Sequence, residues 1–464
     1  MPLRIVEKEK EDNFFPKQNW YFAPDMREKK MGLYGAIALI ASCMIGTGVF
    51  TSLGYQLVGI DSSFAIMVLW LTGGLVAICG ALIYSKLSVL FPGSGGEYNY
   101  LGKIYHPAVG FLSGWTSSTI GFAAPIAAAS IAFSKYFGTF YMFGPYHNYM
   151  VSIAVILLAA VINMKGLNWA EWFQKYATLL NIILIVLLVV LGFFAWKWGK
   201  FSNNQFTVGA KDWQAVFSHS FAVSLIYVSY AYSGWNAVTY IGSEVENPKR
   251  TIPLSLVSAV SLVSFLYLSL NMVFLYRADI ELLRGENEVA HIASAQIFGS
   301  IASSFVSLLI CFCLFASVLG MSIAGPRVIS QIAQDYPPLQ FFGKKNRDGA
   351  PVIAIVVQVF ISTLLVLTSS FDMVIRYVGF SLALFTCLTV AGWVILIIRN
   401  HTFLYRNNLL LLVPATIFVL LELCMLYFTL IDHPTESLLG IITVCSGLLV
   451  YFFNRNQKNQ PYEL

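Results

Sequence analysis

The stretch ALIASCMIGTGVFTSLG, residues 38–54, decides the fold. It is apolar enough to lie in a bilayer, yet it places Gly46-Thr47-Gly48 where a helix should be most regular. Glycine costs a helix interior about 1 kcal/mol relative to alanine, and backbone groups freed inside a membrane find no water as a replacement partner. Glycine also allows membrane helices to pack closely. Taken alone, the stretch therefore leaves two alternatives, a packing contact or a functional break.

Composition predicts a membrane protein. Of 464 residues, 58% are hydrophobic and 11% are charged, against about 25% charged in ordinary soluble domains. The seven cysteines lie within apolar runs and show neither a zinc nor a disulfide pattern. The Lys and Arg residues lie in loops between those runs, which indicates orientation in a membrane rather than nucleic acid binding. We therefore predict an all-α integral membrane protein, with no metal, no cofactor and no nucleic acid partner.

Apolar runs long enough to cross a bilayer, about 20 residues each, recur twelve times. We number them spans 1–12, at about 33–58, 63–88, 107–134, 146–164, 172–196, 215–241, 252–276, 300–328, 351–370, 375–398, 408–430 and 437–454. With the N-terminus inside, most of the 28 Lys and Arg fall on the inner side. The positive-inside rule then predicts a multi-pass protein of the cell membrane with both termini in the cytoplasm.

The spans divide into two repeats of similar length. We expect a cytoplasmic segment at 1–31, spans 1–5 within 32–200, spans 6–10 within 201–400, spans 11 and 12 within 401–454, and a cytoplasmic tail at 455–464. Because five is odd, the second repeat is inverted relative to the first, so a break in span 1 should recur in span 6. Span 6 carries Ser233-Gly234 near its middle. The matching pair favours functional breaks over packing.

Two helix breaks at mid-membrane can bind a zwitterion. Free N–H groups at the start of a half-helix attract anions, and free C=O groups at the end of the other half attract cations. An α-amino acid carries both charges one carbon apart. We expect the amides of residues 47–49 to bind its carboxylate, and the carbonyls of residues 43–45 and 230–233 to bind its ammonium.

Four motifs carry a family resemblance. They are IGTGVF (Ile45–Phe50), FPGSGGEYNYL (Phe91–Leu101), YAYSGWNAVTYIGSEVENPKRTIP (Tyr230–Pro253) and GPRVISQIAQDYPP (Gly325–Pro338). In this order and spacing the chain resembles the amino acid–polyamine–organocation superfamily, nearest its L-type amino acid transporters and their bacterial relatives. The resemblance covers spans 1–10. It implies a LeuT-type 5+5 inverted repeat with discontinuous helices 1 and 6, in which a bundle of spans 1, 2, 6 and 7 rocks against a scaffold.

The resemblance also implies which residues form the site. Substrate-binding positions are Ile45, Gly46, Thr47, Gly48, Tyr230, Ala231, Tyr232 and Ser233, and the gating or coupling candidates are Asn181, Trp235, Asn236 and Ser317. Tyr230 stands where the family has an aromatic gate. Two positions depart from the family pattern: Ser233 replaces a glycine, which should narrow the pocket, and Asn181 stands where many members have a lysine.

The charge pattern narrows the substrate. Residues 33–58, 107–134, 215–241, 300–326 and 377–398, which should line the pocket, contain no Asp, Glu, Lys or Arg. A charged substrate side chain would be desolvated there without a partner, at a cost of several kcal/mol. We therefore predict a permease for neutral L-amino acids that works by alternating access.

The mode of transport has competing interpretations. The uncharged Asn181 favours exchange or facilitated transport. A symporter coupled to H⁺ or Na⁺, or a transceptor that senses an amino acid, remains an alternative. An enzyme is disfavoured because the spans lack a converging nucleophile, base or metal-ligand set. The sequence leaves a homo-oligomer open, and for Glu422 in span 11 it favours an oligomer contact or a bond to a neighbouring helix.

Overall fold

The computed structural model describes residues 30–164, 168–194, 208–346, 349–399 and 409–458. From Met31 onward the described chain forms one compact helical unit. Most of the predicted N-terminal segment, residues 1–29, and the end of the predicted tail, residues 459–464, lie outside the described residues.

Helices occupy the positions of all twelve predicted spans. Spans 1–5 are Leu33–Met44 with Thr47–Gly59, then Ser63–Leu90, then Pro107–Thr116 continuing through a π-helical turn at Ser117–Gly121 into Ala123–Gly138, then His147–Met164 and Asn168–Phe194. Spans 6–10 are His219–Tyr232 with the 3₁₀-helix Ala237–Glu244, then Pro248–Arg277, Ser300–Asp335, Val352–Thr368 and Phe371–Arg399. Spans 11 and 12 are Leu412–Asp432 and Pro434–Lys458, and the connecting helices are Glu97–Ile104, Ala210–Val216, Ile280–Leu283, Val289–Phe298 and the 3₁₀-helix Pro337–Gly343.

The all-α membrane class is confirmed. Within the described ranges, ten helices are long and apolar enough to cross a membrane, and the pair Ala210–Val216 and His219–Glu244, bent by 58°, makes up to eleven. The helix at span 9, Val352–Thr368, has 17 residues, near the lower limit for a spanning helix. A count of twelve spans stays a prediction. So do the repeat boundaries, because residues 200 and 400 lie outside the described ranges.

The two predicted helix breaks are confirmed. Span 1 leaves helical geometry at Ile45 (φ −76°, ψ 90°) and Gly46 (φ −132°, ψ −143°), and its second helix starts at Thr47. Span 6 leaves it at Ser233 (φ −56°, ψ 155°). Gly234 follows with φ +87°, a left-handed conformation that glycine adopts without steric cost. Spans 1 and 6 therefore leave helical geometry at matching places.

A buried charged cluster joins span 6 to spans 10 and 12 near their predicted outer ends. Arg376, only 9% exposed, donates from Nε and Nη2 to Oε1 of Glu436 at 3.0 and 2.7 Å. Its Nη1 donates to the Tyr227 hydroxyl at 3.0 Å and also to Asp372. The Tyr227 ring stacks on Tyr55 of span 1, with centroids 5.9 Å apart. The cluster thus connects both broken spans to span 10.

We expect Arg376→Gln to destabilise the protein far more than Arg284→Gln. Removing one partner of a buried ion cluster leaves uncompensated charge and costs about 3–5 kcal/mol. Arg284 pairs with Asp61 and Glu281, whose side chains are 85% and 73% exposed, and such pairs contribute about 0–1 kcal/mol. Thermal unfolding of both variants in detergent measures the difference. Equal melting temperatures for the two variants would contradict the stabilising role of the cluster.

Candidate functional site

The two breaks lie against each other. A methyl carbon built on Gly48 would lie 2.5 Å from Cα and 2.7 Å from Cβ of Ala231. One built on Gly234 would lie 2.7 Å from the carbonyl oxygen of Cys43. Side chains cannot approach backbone this closely, so glycine at both positions is what lets span 1 and span 6 touch.

One hydrogen bond joins the two breaks through side chains. The hydroxyls of Thr47 and Tyr230 are 3.0 Å apart and both residues are buried. The Thr51 hydroxyl donates to the Thr47 carbonyl at 2.8 Å, which fixes the first turn of the second helix of span 1. The two predicted site residues Thr47 and Tyr230 are therefore brought together.

The start of helix Thr47–Gly59 can bind an anion. Its N-cap is Gly46, which has no side chain to accept a bond from the first amides. The first N–H groups of a helix have no intrahelical partner, and the helix dipole makes this end positive. The amides predicted to bind a carboxylate therefore stand at an uncapped helix N-terminus, immediately beside Ala231.

Tyr267 of span 7 contacts both predicted sets of carbonyls. Its hydroxyl lies 2.7 Å from the carbonyl oxygen of Met44 and 3.2 Å from that of Ala231. The residue is fully buried. A single donor thus lies between carbonyls freed at the two breaks, where we expected an ammonium group. Sequence reasoning missed Tyr267, because one tyrosine in an apolar span carries no distinguishing pattern.

The remaining positions at the breaks differ in their surroundings. Ile45 is buried, and Ser233 is half-buried with its N–H donating to the Tyr230 carbonyl at 3.0 Å. Tyr232 packs between spans 2 and 7: its hydroxyl donates to the Trp70 carbonyl at 3.3 Å, and its ring centroid lies 5.2 Å from that of Tyr267.

Ser317 and Asn181 were predicted to couple transport to the site. Ser317 lies beside the break, since a methyl carbon built on Gly46 would be 3.9 Å from its Oγ. Asn181 is buried in span 5, and within the described part of the chain its Oδ1 has no hydrogen-bond partner. An orphaned buried amide oxygen is unusual. It leaves the Asn181 Oδ1 able to accept a further hydrogen bond.

Trp235 and Asn236 lie on the far side of the span 6 break, next to a buried carboxyl. The Trp235 ring packs on Tyr84 of span 2 with centroids 4.7 Å apart. Asn236 donates to Oε1 of Glu97 at 2.7 Å, and Tyr84 donates to the same oxygen at 2.8 Å. Glu97, on the short helix between spans 2 and 3, is 2% exposed. Burial raises the pKa of Glu97 to about 7, against hydrogen bonds from Tyr84, Tyr240 and Asn236 that lower it.

Glu97 was assigned no role from the sequence, although a signal exists. It is the only acidic residue between Asp61 and Glu171, and it follows three glycines in four residues. An acidic side chain so isolated in an apolar region is a candidate for a specific contact.

Glu422 of span 11 was expected to make an oligomer contact or a bond to a neighbouring helix. It is buried, and its Oε2 has no hydrogen-bond partner among the residues that the structure describes. It lines a cavity of about 30 Å³ together with Ser229, Tyr232 and Trp235. Such a cavity has room for about two water molecules. Polar contacts of Glu422 can therefore come from water.

The sequence is similar to known proteins along nearly the whole chain. The Amino acid permease family matches residues 31–462. The chain is 25% identical over 441 residues to the mouse protein "Large neutral amino acids transporter small subunit 2", covering 94% of this chain and 82% of the relative. It is 26% identical over 446 residues to the "Serine/threonine exchanger SteT" of Bacillus subtilis, covering 93% and 98%. It is 27% identical over 439 residues to the human "b(0,+)-type amino acid transporter 1", covering 92% and 88%. The chain belongs to the amino acid permease family.

Proposed function

We propose that this protein exchanges neutral L-amino acids across the cell membrane by alternating access. The observation that carries the proposal is the contact between two broken helices, where the uncapped amides after Gly46 stand beside the backbone of Ala231. An α-amino acid carries its carboxylate and its ammonium on one carbon. It can therefore contact the free amides at one break and the free carbonyls at the breaks at the same time. The names of the relatives, a large neutral amino acids transporter and a serine/threonine exchanger, support the substrate class and the exchange mode.

Binding takes place through backbone groups. The substrate carboxylate accepts bonds from the amides of Thr47, Gly48 and Val49. Its ammonium takes the place of the Tyr267 hydroxyl at the carbonyls of Met44 and Ala231. The hydroxyl has one proton to share between these acceptors, whereas an ammonium has three N–H donors and can bond to both. The Tyr230 ring covers the substrate while its hydroxyl holds Thr47. Ile45, Gly46, Tyr232 and Ser233 complete the surrounding wall.

The membrane arrangement follows the charge distribution. We place both termini in the cytoplasm, with Arg376 and its partners near the outer surface and Glu97 near the inner surface. The two repeats, 32–200 and 201–400, form the transport unit, and spans 11 and 12 lie outside it. A homo-oligomer is compatible with this arrangement.

The substrate panel is the first test. In proteoliposomes loaded with one neutral amino acid, we expect serine, alanine or leucine to compete for uptake at least tenfold better than lysine, glutamate or putrescine. A cationic or anionic side chain would be an unpaired charge among uncharged spans and would lose several kcal/mol. Uptake that lysine or putrescine inhibits better than every neutral amino acid would overturn the assigned class. Substrate binding without counterflow would instead indicate a sensor.

Gly48→Ala tests the backbone site. The added methyl group meets the backbone of Ala231, which separates the two breaks, and overpacking of this kind costs about 1–3 kcal/mol. We expect uptake to fall at least tenfold while the protein still reaches the membrane. Gly102→Ala is the matched control, because its methyl group would lie 3.9 Å from its nearest neighbour. Normal uptake in the Gly48 variant would remove span 1 from the site.

Sodium replacement tests the transport mode. We expect initial uptake to be unchanged when choline replaces sodium, because Asn181 and Ser317 together offer two neutral side-chain oxygens, and a hard cation needs a larger set of oxygen ligands. Asn181→Ala should reduce uptake equally in both media. A tenfold loss in choline that millimolar sodium restores, and that Asn181→Ala abolishes, would instead establish sodium coupling.

A further inference from the structure

The loop between spans 2 and 3 holds the second half of span 6. We call residues Gly93–Glu97 the clamp loop. The amides of Gly95 and Gly96 donate to the carbonyls of Tyr240 and Thr239 at 3.1 and 3.2 Å, and the hydroxyls of Ser94 and Ser243 are 2.6 Å apart. These bonds run between the clamp loop and the 3₁₀-helix Ala237–Glu244.

Glycines make this approach possible. Gly93, Gly95 and Gly96 have φ values of +126°, +108° and +50°, which other residues rarely adopt. A methyl carbon built on Gly96 would lie 3.0 Å from Oγ1 of Thr239, and one built on Gly242 would lie 2.5 Å from the Gly93 carbonyl oxygen. The sequence G-S-G-G therefore gives the loop a backbone shape that fits closely against the 3₁₀-helix.

The Glu97 carboxyl completes the contact. It accepts from Tyr84 of span 2 at 2.8 Å and from Asn236, just after the span 6 break, at 2.7 Å. The Tyr240 hydroxyl, in the 3₁₀-helix, lies 3.3 Å from its other oxygen. One buried carboxyl thus connects the clamp loop, span 2 and the moving half of span 6.

The two sides of this contact are held by different spans. The helix Glu97–Ile104 is followed by Tyr105, whose hydroxyl donates to the Leu388 carbonyl of span 10 at 2.8 Å. The 3₁₀-helix is tied instead to the start of span 1, since Met31 exchanges backbone bonds of 2.9 Å with Glu244 and Glu246. Opening of the substrate site toward this side must therefore separate the clamp loop from the 3₁₀-helix.

We propose that the clamp loop is a latch that holds the second half of span 6 closed, and that Glu97 is the positioning residue that sets its strength. This goes beyond the proposed exchange function, because it assigns a gate and its controlling group. Glu97 acts through Asn236 and Tyr240 and does not contact the substrate.

The surroundings of Glu97 make closure of the latch depend on pH. The titratable groups facing it are Tyr84 of span 2, Tyr100 of its own helix and Tyr240 of span 6. Asn236 and Thr239 of span 6 and Thr389 of span 10 also lie at this contact, so the described groups around Glu97 are uncharged at neutral pH. Burial raises the pKa of Glu97 from 4.5 to about 7, and water entering an open latch returns it toward the ordinary value. The closed latch therefore binds a proton more tightly than the open one, so acid favours closure.

Hydrogen exchange measured by mass spectrometry tests the latch without using transport. The measurement uses the full-length protein in nanodiscs and corrects for the pH dependence of intrinsic exchange. We expect the protection factors of amides 237–244 to fall at least about tenfold between about pH 5 and about pH 8, because a shift of one pKa unit changes an equilibrium constant tenfold. The Glu97→Gln variant keeps the shape of the side chain and is neutral at every pH, so the protection of amides 237–244 in this variant should not change with pH. Glu288→Gln is the matched control, a carboxyl outside the spans whose pKa burial also raises, and it should behave as the parent.

Ser94→Ala provides a second variant if Glu97→Gln does not fold. It removes the bond to Ser243 but keeps the carboxyl, so protection should be lower at every pH while its pH dependence persists. Three results would each overturn the proposal. The first is that protection in the parent protein does not vary with pH. The others are that Glu97→Gln retains the parent's pH dependence, or that Glu288→Gln loses it. Because none of these measurements needs a substrate, they are independent of whether the protein exchanges amino acids.

Discussion

The structure depends on one constraint, that backbone polar groups inside a bilayer must find partners without water. Spans 1 and 6 violate helical bonding at matching places and would be costly alone. Each break is stabilised by the other: Thr47 bonds to Tyr230, and the Tyr267 hydroxyl lies between the carbonyls of Met44 and Ala231. In the described structure, the amide end of helix Thr47–Gly59 has no side-chain cap. The proposed binding site follows from this uncapped end, because a carboxylate is the group that such an end attracts.

The same contacts make spans 1 and 6 one mechanical body. Gly48 and Gly234 bring backbone against backbone at the breaks, and Met31 pairs with Glu244 and Glu246 where the inner halves end. Because contacts packed this closely resist stretching, we expect spans 1 and 6 to move together. A substrate held between the breaks would therefore not pull them apart. We infer that movement occurs where this body meets its neighbours, at the cluster around Arg376 and at the clamp loop.

The sequence predicted the fold class and both breaks because these follow from local rules, the length of apolar runs and the cost of glycine in a helix. The resemblance of the motifs also placed Thr47 and Tyr230 in one predicted site, and their hydroxyls lie 3.0 Å apart. It could not predict side-chain direction across helices. Tyr232 was expected at the substrate and packs between spans 2 and 7, whereas Tyr267, in an unremarkable apolar span, reaches both breaks. Such partners depend on helix rotation and packing, which no single segment encodes.

The two ends of span 6 are held by different chemistry, and the difference suits alternating access. At the predicted outer end Tyr227 bonds to Asp372 and Arg376, and Arg376 also pairs with Glu436, so acids and a base share one buried cluster. At the predicted inner end the described partners of Glu97 are uncharged donors. A guanidinium beside a carboxylate favours its charged form, whereas burial of a carboxyl that has no charged partner favours the neutral form. The protein can therefore adjust how easily one gate opens without changing the other, which a symmetric pair of ion clusters would not allow.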